Sequence, residues 1–266
     1  MSTILNDIVA NRKMEVSIQK QAVPLMKIKL EINDRIQCNS LYSNLISRGS
    51  SGIIAEFKRR SPSRGVINDQ VFPGAVTRGY TDAGVSGLSV LTEQKYFGGS
   101  TDDFKAARDA NPSTPLLRKD FIVDEYQIFE SRLLRADVIL LIAAVLDKDQ
   151  ISRFASVAHE LGMEVLLELH SESEMDKICN GIDLIGINNR NLKDFVVDLD
   201  LSVKLLGLLP AQSVKIAESG ISDPHTVNFL RSRGFQGFLM GENFMKSENP
   251  ASACREFISR LVINDN

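Results

Sequence analysis

Glu56 and Lys58 stand two residues apart in IIAEFKRRSPSRG, residues 53–65, where an apolar run gives way to a Ser-Pro-Ser-Arg-Gly stretch. In a strand, residues i and i+2 project from one face, so a carboxylate and an ammonium here share a surface. Turned outward, they form an ordinary ion pair contributing about 0–1 kcal/mol. Turned inward, they can move protons or hold charge against a substrate. Further groups of the same kind follow. Lys119 closes the apolar run of LLRKDF, as either a solvated charge or an acid. Glu168 sits among leucines in EVLLELH, where an unpaired carboxylate is costly. GINNRNL brings Asn188, Asn189, Arg190 and Asn191 together, a cluster that suits either substrate hydroxyls or a capping turn. AESGIS ends in Glu218 and Ser219 before Gly220, with Ser222 or Asp223 placed to cap a helix, and MGENFM sets Gly241 before Glu242. Lysines among carboxylates are the equipment of general acid–base catalysis.

Positioning these groups requires a repeated frame. Short apolar, β-branched runs begin at Ile53, Leu88, Pro115, Val138, Val165, Asp183, Val214 and Gly237. Segments with helical spacing lie between them, among them VFPGAVTRGYTDAG, DEYQIFESRLLRA, DKDQISRFASVAHELG and DPHTVNFLRSRG. Strands alternating with helices imply right-handed crossovers and a parallel sheet. Eight such units predict an α/β fold of the (β/α)8 barrel type over residues 49–266, with residues 1–48 as a helical extension packed on it and one domain in all.

In such barrels chemistry gathers at the C-terminal ends of the strands, where the polar residues above fall. Gly220 and Gly241 follow the seventh and eighth runs, a common place for phosphate in this fold, where backbone N–H groups and helix N-termini favour an anion.

Composition sets the other bounds. A formal charge of −3 gives no basic footprint for nucleic acid, and no run approaches the roughly 20 apolar residues that cross a bilayer. Three cysteines, Cys38, Cys179 and Cys254, lack metal spacing and are odd in number, which points to a reducing cytoplasm. His159, His170 and His225 form no ligand motif, and no dinucleotide fingerprint occurs, so neither metal nor cofactor is expected.

With these residues assembled, the chain resembles the indole-3-glycerol phosphate synthase family. The likeness runs through ILNDIVANRKMEV, IIAEFKRRSPSRG, SVLTEQKYFGGS, LLRKDFIVDEYQI, ADVILLIAAVL, MEVLLELH, GINNRNL, IAESGI and MGENFMK, in that order. Phe57 and the Arg59-Arg60 pair fall where the family varies. The resemblance implies a substrate in which an anthranilate is joined to an open-chain ketose phosphate, followed by ring closure, loss of carbon dioxide and dehydration to the indole. It implies Lys119 as the acid at the ketone and Glu168 as a base or a partner for charge on the aniline nitrogen. Lys58 would hold an anion and serve the departing hydroxyl, with Glu56 as its partner and a base for dehydration. Which lysine serves which step stays open. Asn188 and Glu218 would orient hydroxyls and the lysines. Ser61, Arg190, Ser219, Gly220, Gly241 and Glu242 would bind substrate or phosphate, and Phe97 and Leu140 would line the slot for the aromatic ring. The partner is a phosphorylated small molecule, with neither nucleic acid nor membrane involved, and the chain works as a monomer or a homodimer. Two rivals stand beside it: a barrel aldolase forming a Schiff base at Lys119 or Lys58, which borohydride trapping would separate, and a catalytically silent barrel, whose signature of apolar or small strand ends this sequence lacks.

Overall fold

A computed structural model describes residues 3–33, 35–191 and 196–262. Eight parallel strands close into a barrel: β1 (Ile53–Phe57), β2 (Gly87–Leu91), β3 (Leu116–Lys119), β4 (Val138–Ile142), β5 (Glu164–Leu169), β6 (Leu184–Asn188), β7 (Val214–Glu218) and β8 (Gly237–Met240). Neighbours in sequence are neighbours in the sheet, and β8 pairs with β1 through Ile54 and Leu239. The expected runs and the observed strands coincide to within a residue or two.

Period two explains both the core and the site. Ile54, Leu117, Leu140, Leu166, Leu184, Ile216 and Leu239 point inward and fill the lumen as one apolar cluster. Two residues further along, the same inward rows carry Glu56, Lys119, Glu168 and Glu218. Each of these strands is therefore greasy at its base and charged at its top. Residues on the opposite face pack beneath the helices in the larger cluster, where Phe57, Phe154 and Phe238 are fully enclosed.

The helices start where local chemistry demands it. Asp124 with Gln127 and Asp147 with Gln150 form capping boxes that open the helices Glu125–Leu133 and Lys148–Glu160. Asp223, not Ser222, caps the helix Pro224–Arg233, with Pro224 in the first turn. After β5 the chain makes a 3-10 helix, Glu172–Lys177, in place of a long crossover helix.

The extension forms three helices: α1 (Ile4–Ala22), α2 (Leu25–Glu31) and α3 (Leu41–Ile46). Leu41 and Leu45 of α3 enter the lumen cluster and plug the base of the barrel. Glu164, at the start of β5, accepts from the backbone N–H of Leu41 and Tyr42 at 2.9 and 3.0 Å, and from Ser40. At the other end, Arg12 of α1 reaches Asp120 at 2.6 Å, so the extension is tied to the residue following Lys119. Among the described residues no helix is long and apolar enough to cross a membrane.

Candidate active site

The strand tops surround a cavity of about 480 Å³. Every residue to which the family resemblance assigns a role lines it, namely Glu56, Lys58, Ser61, Phe97, Lys119, Leu140, Glu168, Asn188, Arg190, Glu218, Ser219, Gly220, Gly241 and Glu242, whereas Asn189, Asn191 and Asp223 do not.

Its floor is a cluster of three ionisable groups. Lys119 Nζ lies 2.5 Å from Glu168 Oε2 and 3.2 Å from Glu218 Oε2. All three side chains are nearly shut off from solvent. Burial disfavours the charge on Lys119, but Glu168, Glu218 and Glu56 outweigh it and raise its pKa. Burial likewise pushes the Glu168 carboxyl up, yet Lys119, and after it His170, hold it well below the ordinary value. At Glu218 burial prevails over Lys119, the neighbouring Glu168 adds to it, and the carboxyl is pushed up to about 8. At neutral pH the cluster therefore holds an ionised Glu168, a cationic Lys119 and a protonated Glu218.

Beside it, Lys58 Nζ meets Glu56 Oε1 at 2.8 Å, while Ser89 on β2 donates to Oε2 at 3.2 Å. Glu56 is 3 % exposed, so the pair faces the cavity and not the outer surface. The Ser-Pro-Ser-Arg-Gly stretch folds into a small antiparallel ribbon, Arg60–Ser61 against Gly65–Val66, and Ser61, Pro62, Ser63 and Arg64 form one wall of the cavity.

An apolar slot lies on the β2–β4 side. Phe97 and Phe121 stack obliquely with ring centroids 5.9 Å apart, and Leu91, Leu140 and Ile142 complete the walls. Ile4, Leu5 and Ile8 of α1 reach the same cavity from above. The turn carrying Phe97 is wound around Glu93, which is fully buried and accepts from the backbone N–H of Lys95, Tyr96 and Phe97 at 3.1, 2.8 and 2.9 Å.

The opposite side, after β6, β7 and β8, is polar. Ser219 and Gly220 both have positive φ, 67° and 76°, which turns the chain sharply off β7. A Cβ on Gly220 would overlap Val197, so glycine is required there. Asn189 braces this bend, donating from Nδ2 to the carbonyls of Glu218 and Ser219 at 3.0 and 3.2 Å. Asn188 accepts from the Arg190 N–H at 3.0 Å, so it caps its own turn while lining the cavity. The Glu242 carboxylate stands between two guanidiniums, 3.0 Å from Arg64 Nε and 3.6 Å from Arg190 Nη2. Gly241 makes room for Glu56, whose Oε1 would lie 2.8 Å from a Cβ at that position.

Several contributors do not show in the sequence alone: Gly186, Glu93, His170 and Arg64. The clue available for Glu93 was an acidic residue two positions past the end of an apolar strand.

Comparison with known proteins decides the family. The model of the indole-3-glycerol phosphate synthase family matches residues 5–257. The chain belongs to the indole-3-glycerol phosphate synthase family. Indole-3-glycerol phosphate synthase of Bacteroides thetaiotaomicron is 47% identical over 98% of this chain and 100% of its own length. The same-named protein of Laribacter hongkongensis is 43% identical over 95% of this chain and 98% of its own. In fold alone, the chain is similar to 3-hexulose-6-phosphate synthase, with a TM-score of 0.59, 15% identity, and coverage of 79% of this chain and 100% of that one. Thiamine phosphate pyrophosphorylase from Pyrococcus furiosus gives a TM-score of 0.58 at 14% identity, covering 83% of this chain and 98% of that one.

Proposed function

We propose that this cavity performs the indole-3-glycerol phosphate synthase reaction: 1-(2-carboxyphenylamino)-1-deoxyribulose 5-phosphate is closed, decarboxylated and dehydrated to indole-3-glycerol phosphate, carbon dioxide and water. The observation that carries this reading is Lys119 held between Glu168 and Glu218, with an apolar slot on one side and the Ser219-Gly220 and Gly241 turns on the other. The substrate has the same division, an aromatic ring at one end and a phosphate at the other.

In the first step the ring carbon bearing the carboxylate attacks the ketone, and Lys119 gives its proton to the oxygen that becomes a hydroxyl. Glu168 balances the positive charge on the aniline nitrogen while that bond forms. Carbon dioxide then leaves with its C–C bond cleaved, and the electron pair restores the ring. In the last step Lys58 supplies the proton with which the hydroxyl departs as water, and Glu56 takes a proton from the adjacent carbon. Its contact with Lys58 supports pairing these two roles. Asn188 orients hydroxyls, and Glu218 orients Lys119.

Phosphate meets Ser61, Arg190 and the backbone at Ser219, Gly220 and Gly241. Glu242 enters through its own backbone N–H and by holding Arg64 and Arg190, since a carboxylate repels the phosphate directly. The phosphorylated substrate is the only partner this reading needs, and one chain carries every group it uses. The free thiols of Cys38, Cys179 and Cys254 suit a cytoplasmic setting.

Adding the carboxyphenylamino substrate to the protein tests the reading. Indole fluorescence should rise and carbon dioxide should be released in equal amount. No indole product, or a substrate adduct trapped by borohydride on Lys119 or Lys58, sinks it in favour of a silent barrel or an aldolase.

A further inference from the structure

Glu168 is bracketed. Lys119 lies 2.5 Å from Oε2, and His170 Nε2 lies 3.1 Å from Oε1. Period two again accounts for the approach, because residues 168 and 170 leave the end of β5 on the same side. The His170 side chain is 9 % exposed and stands behind Glu168, outside the described lining of the cavity. Its backbone N–H donates to Glu174 Oε2 at 2.7 Å, which fixes the strand end. Yet neither ring nitrogen makes a well-aligned hydrogen bond among the described residues. A phenylalanine would fill the same space without an unmatched buried donor and acceptor, so packing does not explain an imidazole here.

The ring-closure chemistry does, and the inference rests on that reading. When Lys119 hands its proton to the ketone oxygen, Glu168 loses the cation that balances it, in surroundings where a lone carboxylate is expensive. We propose that His170 is a positioning residue for Glu168: its Nε2–H takes up Oε1 as Lys119 turns to the substrate, so the carboxylate stays ionised and aimed at the aniline nitrogen. No proton passes to or from His170. Lys119 gives one to the substrate oxygen, and the imidazole keeps its own. Nε2 stands 3.1 Å from Oε1, near enough for a small rotation of either side chain to align the bond.

The test compares His170→Phe, which keeps the packing, with His170→Gln, which keeps an N–H donor, using the full chain and the carboxyphenylamino substrate. His170→Phe should lower kcat by about 10–10²-fold, the scale of a misplaced catalytic group, with KM little changed and the thermal midpoint equal or higher. His170→Gln should recover part of that loss. A His170→Phe protein with wild-type kcat overturns the proposal, as does a loss that Gln does not relieve. If His170→Phe does not fold, His170→Gln is compared with His170→Ala: a higher kcat for Gln upholds the proposal and equal values overturn it. Wild-type protein that forms no indole product removes the ring-closure reading itself and the proposal with it. That result is read before any variant is made, so the two failures are distinct.

Discussion

Gly186 on β6 is the opening through which Glu218 reaches Lys119 and Glu168. A Cβ at position 186 would overlap Oε1 of Glu218, and Gly186 lies in register with Glu168 on β5 and with Ile216 on β7. Because β6 separates β5 from β7, the Glu218 carboxylate meets Lys119 by lying across the strand that glycine leaves bare. Gly186→Ala should therefore fold but displace the carboxylate, lowering kcat by about 10–10²-fold. Adding Glu218→Gln should make matters little worse than the poorer single variant, because both changes act on one group. Additive losses in that double-mutant cycle would mean that Gly186 acts on something else.

The raised Glu218 carboxyl has a measurable signature. Its folded value of about 8 lies above its ordinary 4.5, so between those values the folded protein keeps a proton that the unfolded chain has lost. Its contribution is fully present below about pH 4.5 and fades as pH rises through 8. Chemical denaturation across pH 6–9 should show this decline in the wild type and a flatter curve for Glu218→Gln. A wild-type curve that is flat, or that rises over the same range, counts against a protonated Glu218.

Lys119→Met should abolish most turnover, by about 10²–10⁴ in kcat, while substrate still binds. It also leaves Glu168 and Glu218 buried without the cation between them. Both carboxyls would then favour their protonated forms, so the variant should gain stability relative to wild type as pH falls from 7 towards 5. Near-normal kcat would remove Lys119 from the mechanism, and stability that tracks wild type at every pH would mean that the three groups are not electrostatically linked.

The strand tops were legible in the sequence because they depend only on period two: once Ile54, Leu117, Leu166 and Ile216 are lumen residues, Glu56, Lys119, Glu168 and Glu218 must share their side. What stayed hidden depends on which strands become neighbours. Gly186 reads as a plain strand glycine until Glu218 is known to lean over it. The plug formed by Leu41 and Leu45 is a short amphipathic stretch until the barrel is closed beneath it. Arg118 and Asp120, fully buried around Lys119, look like solvated charges in LLRKDF; in the fold they join Arg12, Thr92 and Glu130 in one hydrogen-bonded group. Periodicity assigns a residue to a face, but it does not say what arrives opposite.

Gly241 and Glu56 allow the two ends of the site to be separated experimentally. If Gly241 serves phosphate alone, Gly241→Val raises KM and leaves kcat in place. The structure predicts more, since a side chain at 241 would press on Glu56, whose Oε1 holds Lys58 at 2.8 Å. Gly241→Val should lower kcat as well, in the manner of Glu56→Gln, and its pH-independent loss should not add to that of Glu56→Gln. Glu56→Gln and Lys58→Met should each slow turnover severely, Lys58→Met should also raise KM, and the double variant should be little worse than the poorer single. Were the pair only an external ion pair, neutralising both would change stability by no more than about 1 kcal/mol and leave turnover intact. Full activity in that double variant would therefore defeat the dehydration role, and a pure KM effect in Gly241→Val would show that Glu56 tolerates the intrusion.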